Sequence, residues 1–252
     1  MRKSPAFTLP LLLVIAILFA QPALAVSITY VTPADSKVAD GPVNARATFT
    51  TGQNLLTIVL ENLQTNTKSV GQNLSDLTFT LSNPAFVTAT FASDGNSALE
   101  RSVGGDKTFR DGSTLTTAGA IGWVLTSQGS GVFHLDDLVG AGHAGPEHTI
   151  LGPPSTPTTY SSSNASIAGN GPHNPFLGES VTWALNIVGL TADTTITAAA
   201  FSFGTDPDSP EIIGVRSPTV PEPSTVLLLA LGLGGLAAWR WRCIARRFVS
   251  AP

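Results

Sequence analysis

Between Val26 and Thr219 no apolar pattern repeats every ~3.6 residues over a helix-length window; short alternating runs take its place. Leu77-Thr78-Phe79-Thr80-Leu81 sets Leu77, Phe79 and Leu81 on one face and two threonines on the other, the period of a half-buried strand. Arg46–Thr50, the turn Thr51-Gly52-Gln53-Asn54, and Leu55–Leu60 read as a hairpin. Val87–Phe91 alternates in the same way before the turn Ser93-Asp94-Gly95-Asn96. Further strands are expected over Ile121–Thr126, Gly131–Leu135, Thr149–Leu151 and Val181–Val188. Thr195–Phe203 reads as a buried strand through Ile196, Ala198, Ala200, Phe201 and Phe203. Eight to ten strands at roughly ten-residue spacing predict an all-β fold, an antiparallel β-sandwich or jelly roll. The 30 Thr and 23 Ser agree, since Thr favours strands and Ser favours turns. A parallel α/β fold is excluded for want of helices. The long Pro- and Ser-rich loop from Gly152 to Pro175 is expected to pack around Tyr160 and Phe176.

The two ends follow other rules. Arg2 and Lys3 precede an apolar run from Leu9 to Ala20, and small residues stand at Ala23 and Ala25. That is the layout of a secretory signal peptide over residues 1–25, cut after Ala25, which calls for the Sec export machinery. At the far end Val220-Pro221-Glu222-Pro223-Ser224 leads into the apolar stretch Val226–Trp239, and Arg240, Arg242, Arg246 and Arg247 follow. Fourteen apolar residues at ~1.5 Å each fall short of a bilayer core. A single transmembrane helix over Pro223–Trp241 becomes feasible when Arg240 and Arg242 snorkel. The arginine cluster then acts as a stop-transfer signal and holds that end in the cytoplasm. Residues 26–219, the ectodomain, lie on the far side, and residues 220–252 form a separate tail.

This tail resembles the PEP-CTERM sorting signal of Gram-negative bacteria: Pro221-Glu222-Pro223, a Leu/Gly/Ala-rich helix and a terminal arginine cluster. The resemblance implies recognition by an exosortase, a membrane-embedded cysteine transpeptidase that cuts near the Pro-Glu-Pro. It also implies transient anchoring in the inner membrane, delivery to the cell surface or extracellular matrix, and a biofilm or exopolysaccharide association. A physical reason stands beside the family one. Two prolines enforce an extended backbone, which presents a peptide bond to a protease just above the bilayer. Stretches of the exported region, among them residues 73–84 and 131–140, also resemble the ectodomains of such proteins, which adds a compartment and no chemistry.

Candidate chemistry is sparse. Gly140-Ala141-Gly142-His143-Ala144-Gly145 spells G-x-G-x-x-G, but Pro146 follows and no βαβ unit is in view, so a glycine-rich turn is the reading. His143 and His148 with Asp136, Asp137 and Glu147 could hold a transition metal only if their loop folded back. Asp206, Asp208 and Glu211 gather three carboxylates in one turn, a weak calcium candidate without an EF-hand loop. Glu147 and Glu179 could serve as a glycosidase pair, and Trp123 and Trp183 as a sugar platform, although both tryptophans sit in strand patterns that favour the core. No G-x-S-x-G elbow occurs, and the one cysteine, Cys243, lies in the tail. No cofactor is expected.

Charge decides between partners. Only 12% of residues are charged, about half the usual ~25%, which excludes a nucleic-acid binder. The net −4 divides unevenly: +2 in residues 1–25, −10 in 26–225 and +4 in 226–252. A protein stripped of both ends is therefore markedly acidic, soluble and averse to anionic surfaces. The expectation is an exported, non-enzymatic surface or matrix protein; the alternatives are a carbohydrate-binding module and, behind it, a secreted hydrolase.

Overall fold

The computed structural model describes residues 26–218, residues 141 and 208 excepted. The chain divides into two units, Met1–Ser217 and Pro218–Pro252. The expected signal peptide, the Pro-Glu-Pro tail, its apolar span and its arginine cluster lie outside the described residues. Among the described residues no helix is long and apolar enough to cross a membrane.

The all-β expectation holds. In chain order the strands are β1 (Val26–Val31), β2 (Lys37–Val38), β3 (Gly41–Pro42), β4 (Ala45–Thr51), β5 (Leu55–Asn62) and β6 (Leu74–Leu81). There follow β7 (Thr90–Phe91), β8 (Ser97–Val103), β9 (Phe109–Leu115), β10 (Val124–Gly129) and β11 (Val132–Asp136). The last are β12 (Ile150–Leu151), β13 (Phe176–Asn186), β14 (Ile196–Phe203), β15 (Ile212–Ile213) and β16 (Val215–Arg216).

Two antiparallel layers result. One runs β10-β11-β6-β14-β15, and the other β9-β8-β13-β5-β4-β1-β16. Their inner faces meet where Phe49 of β4 lies 5.4 Å from Phe79 of β6, ring to ring. Phe79 then stacks on Phe133 of β11 at 5.6 Å. Tyr30 of β1 reaches across to donate its hydroxyl to the carbonyl of Ile196 at 3.0 Å. Each fully buried aromatic of this kind stabilises by about 1.5–3 kcal/mol through burial. Strand pairing also continues around the edges of the two layers. At one edge β12 pairs with both β6 and β13, and its two-residue pairing with β13 is parallel. At the other, the chain passes from β15 to β16 through Gly214, whose N–H donates to the Ala199 carbonyl at 2.8 Å. A Cβ at Gly214 would stand 2.9 Å from that carbonyl oxygen and from the Phe201 ring, so only glycine passes there.

The alternation read from sequence is the alternation observed in β4, β5 and β6: Leu77, Phe79 and Leu81 are buried and Thr78 and Thr80 face out. The β4–β5 hairpin forms with Thr51 opposite Leu56. Trp123 and Trp183 are core residues, their rings 4.9 Å apart. The long loop packs a second small cluster, in which Tyr160 and Ile167 meet Val103, Leu151 and Phe176.

Three expectations are corrected. Of Val87–Phe91 only Thr90–Phe91 pairs, because β13 ends at Asn186 and leaves the preceding residues no edge; Val87 is 53% exposed. Ile121–Thr126 begins as the end of a helical turn, Ala118–Ile121, capped by the Thr117 hydroxyl and stopped by Gly122 at φ 80°. The strand starts only at Val124. Ala198 faces out, since a register shift between Ile196 and Ala198 inverts the alternation there.

Candidate functional site

Strand register assembles one constellation that spacing along the chain does not reveal. Inward placement of Leu77 and Phe79 on β6, and of Phe133 and Leu135 on β11, forces their neighbours outward. Asp76 and Thr78 of β6 therefore share an outer face with His134 and Asp136 of β11, Asp136 directly opposite Asp76. His134 Nε2 is hydrogen-bonded to Asp76 Oδ2. Its Nδ1 lies 4.0 Å from Asp136 Oδ2. The other Asp136 oxygen accepts the N–H groups of Leu138 and Val139, at 2.6 and 3.2 Å, and so fixes the turn that ends β11. Asp76 Oδ1 is buried and has no hydrogen-bond partner. Glu211 approaches from the segment before β15 and accepts from the Thr78 hydroxyl at 2.6 Å. The hydrogen bond to Asp76, and the charges of Asp76, Asp136 and Glu211, hold His134 above the ordinary histidine value against the pull of burial.

Asp137, the next residue, has the opposite fate. Strand alternation turns it off the outer face, and it is fully buried with neither carboxylate oxygen hydrogen-bonded. Burial, with Asp136 and Glu147 adding like charge, pushes its pKa up to about 9, so the group is a neutral acid at pH 7. The loop metal set considered from sequence is thereby divided: Asp136 faces out and Asp137 is interior. His143 is exposed. His148 is buried, its Nδ1 2.8 Å from the Ile121 carbonyl and its Nε2 3.6 Å from Glu100. No helix follows the Gly140–Gly145 run, so the glycine-rich turn stands.

The Asp206–Glu211 turn borders a surface groove shared with Lys37, Asp40 and Gly71. Asp206 and Glu211 both line it, Glu211 is engaged by Thr78, and Asp208 lies outside the described residues. Of the two glycosidase-type carboxylates, Glu147 bears on Asp137 while Glu179 belongs to a different network. That network centres on Arg101 of β8, only 5% exposed. Its guanidinium makes a fork with Asp111 at 2.6 and 3.2 Å, and bonds Glu179 at 2.9 Å and the Tyr160 hydroxyl at 3.0 Å. It also lies 4.2 Å from the Phe109 ring centroid. Glu179 sits at φ 62° in the β13 bulge, a left-handed conformation unusual for its type. The arrangement ties the exposed strand β9 and the long loop to the sandwich, and every guanidinium nitrogen in it bonds a protein oxygen.

Asp76 and His134 are the residues that sequence reasoning missed. His134-x-Asp136 is a detectable signal, since i and i+2 share a face on a strand. Asp76 comes from 58 positions away, through pairing alone.

Residues 219–247 match the model of the PEP-CTERM protein-sorting motif. No curated protein and no solved structure matches the chain. The chain thus carries a PEP-CTERM sorting motif behind an all-β ectodomain. The motif indicates an exported protein, sorted by an exosortase to the surface or the extracellular space.

Proposed function

We propose that the chain is a non-enzymatic structural protein of the cell surface or extracellular matrix, held briefly in the inner membrane by its C-terminal helix and then released from it by exosortase cleavage. The observation that carries the reading is the sorting motif at residues 219–247. The ectodomain is consistent with a structural part. Its two large indoles are spent on the core, its buried arginine is bonded to protein through every guanidinium nitrogen, and its long loop is tied down through Tyr160. Association with exopolysaccharide belongs to the same reading, through the hydroxyl-rich outer faces of the strands. The buried tryptophans leave a carbohydrate-binding module without the aromatic platform that sugar stacking uses.

Replacing Pro221, Glu222 and Pro223 together by alanine tests the sorting step. The processed form is expected to disappear from immunoblots and an unprocessed, membrane-retained form to accumulate. Unchanged processing and release would contradict the reading.

A further inference from the structure

Asp76, His134 and Asp136 each offer one ligand atom, and these atoms all lie within 4.8 Å of one another. We propose that this constellation is a binding site for a divalent transition metal of the Zn2+ or Mn2+ type, placed on the outer face of the β6–β11 strand pair.

Four observations carry the proposal. The residues stand on paired strands at facing positions, Asp136 opposite Asp76, so the backbone ladder fixes their separation and no loop has to close. Charge is unbalanced: Asp76, Asp136 and Glu211 surround a single imidazole. Among the described residues no lysine or arginine forms an ion pair with any of the three. A buried acceptor is orphaned at the site. Asp76 Oδ1 has no partner, and such a group costs free energy unless something fills its lone pairs. Asp136, only 6% exposed, spends one oxygen on the β11 turn and directs the other toward His134.

The donor set selects the class of ion. One imidazole nitrogen with two carboxylates suits Zn2+ or Mn2+, whereas Ca2+ takes six to eight oxygens and has no use for the imidazole. Glu211, beside Thr78, stands near enough to influence His134 and serves as a further oxygen donor or as the partner of a bound water.

The test is equilibrium dialysis of the untagged full-length chain against ZnCl2, MnCl2 and CaCl2, with bound metal counted for the wild type, His134→Gln and Asp76→Asn. One Zn2+ or Mn2+ per chain is expected, with Ca2+ held at least about tenfold more weakly and each variant losing about tenfold or more in affinity. Because removing a half-buried carboxylate can unfold the sheet, a second readout uses the wild type alone. Substoichiometric Mn2+ is expected to broaden the His134 ring resonances before those of His143, His148 and His173. No stoichiometric binding by the wild type, binding undiminished in both folded variants, or Ca2+ preferred with the His134 ring unaffected would each overturn the proposal.

Discussion

Asp137→Asn is expected to stabilise the ectodomain at neutral and alkaline pH and to abolish most of its stability slope between about pH 5 and 9. In the folded chain Asp137 is fully buried, bonded by neither oxygen, and held protonated by burial and by the charges of Asp136 and Glu147, its pKa about 9. In the unfolded chain the same carboxyl titrates near ~3.9. The folded state therefore binds the extra proton. Stability from this group is fully present below the unfolded value and is lost as pH rises toward the folded one. Each pH unit in that interval costs about 1.4 kcal/mol, or about 4 kcal/mol by pH 7. Asparagine keeps the shape and removes the ionisation, although it still buries a polar group. Urea unfolding in EDTA at pH 5, 7 and 8.5 is the measurement. The wild type should weaken steadily across the series while the variant stays nearly level. Parallel pH profiles would show that Asp137 is solvated or paired in solution.

Arg101→Met is expected to be the costliest substitution among the charged residues. Methionine preserves the apolar stem and removes the guanidinium that joins Asp111, Glu179, Tyr160 and Phe109. Breaking a buried ion pair typically costs about 3–5 kcal/mol because a charge is stranded. Here Asp111 and Glu179 remain 40% and 46% exposed and regain water, which lowers the expected loss to about 2–3 kcal/mol. Glu179 would also lose the partner that offsets its left-handed backbone. Arg101→Lys should recover less than half, since an ammonium cannot make the fork to Asp111 while also reaching Tyr160. Denaturant unfolding at constant pH decides. A loss below about 0.5 kcal/mol would place the network among surface pairs of little consequence.

What the sequence discloses depends on where the organising force acts. β4, β5 and β6 were legible because each buries one face, and burial writes itself as alternation along a single strand. Tyr160 and Phe176 marked the loop's anchor because large apolar residues in a polar stretch must be buried somewhere. Phe109–Leu115 left no such mark. Its five central residues are exposed on both faces, and it is held by backbone pairing to β8 and by Arg101, neither of which has a sequence period. The antiparallel reading places a strand at Thr149–Leu151 but not its pairing as β12, which runs parallel to β13 over two residues. At the candidate site, His134 and Asp136 are two apart on β11 and share a face, but the sequence reading ends that strand at Leu135 and sets Asp136 with the loop residues His143 and His148. Asp76 was not legible, since register between β6 and β11 is a tertiary fact. The separate fates of Asp136 and Asp137 follow from alternation once β11 is placed, yet the pair reads as one acidic cluster along the chain. The sorting motif was legible because its residues are contiguous along the chain, within the matched residues 219–247.

Intact-mass analysis of the protein recovered from the cell surface or medium tests the central claim most directly. A chain beginning at Val26 and ending near Pro221–Pro223, without residues 226–252, is expected, with any added mass at the new C-terminus reporting covalent transfer. A recovered chain that still carries Arg240–Arg247 would contradict exosortase-dependent sorting.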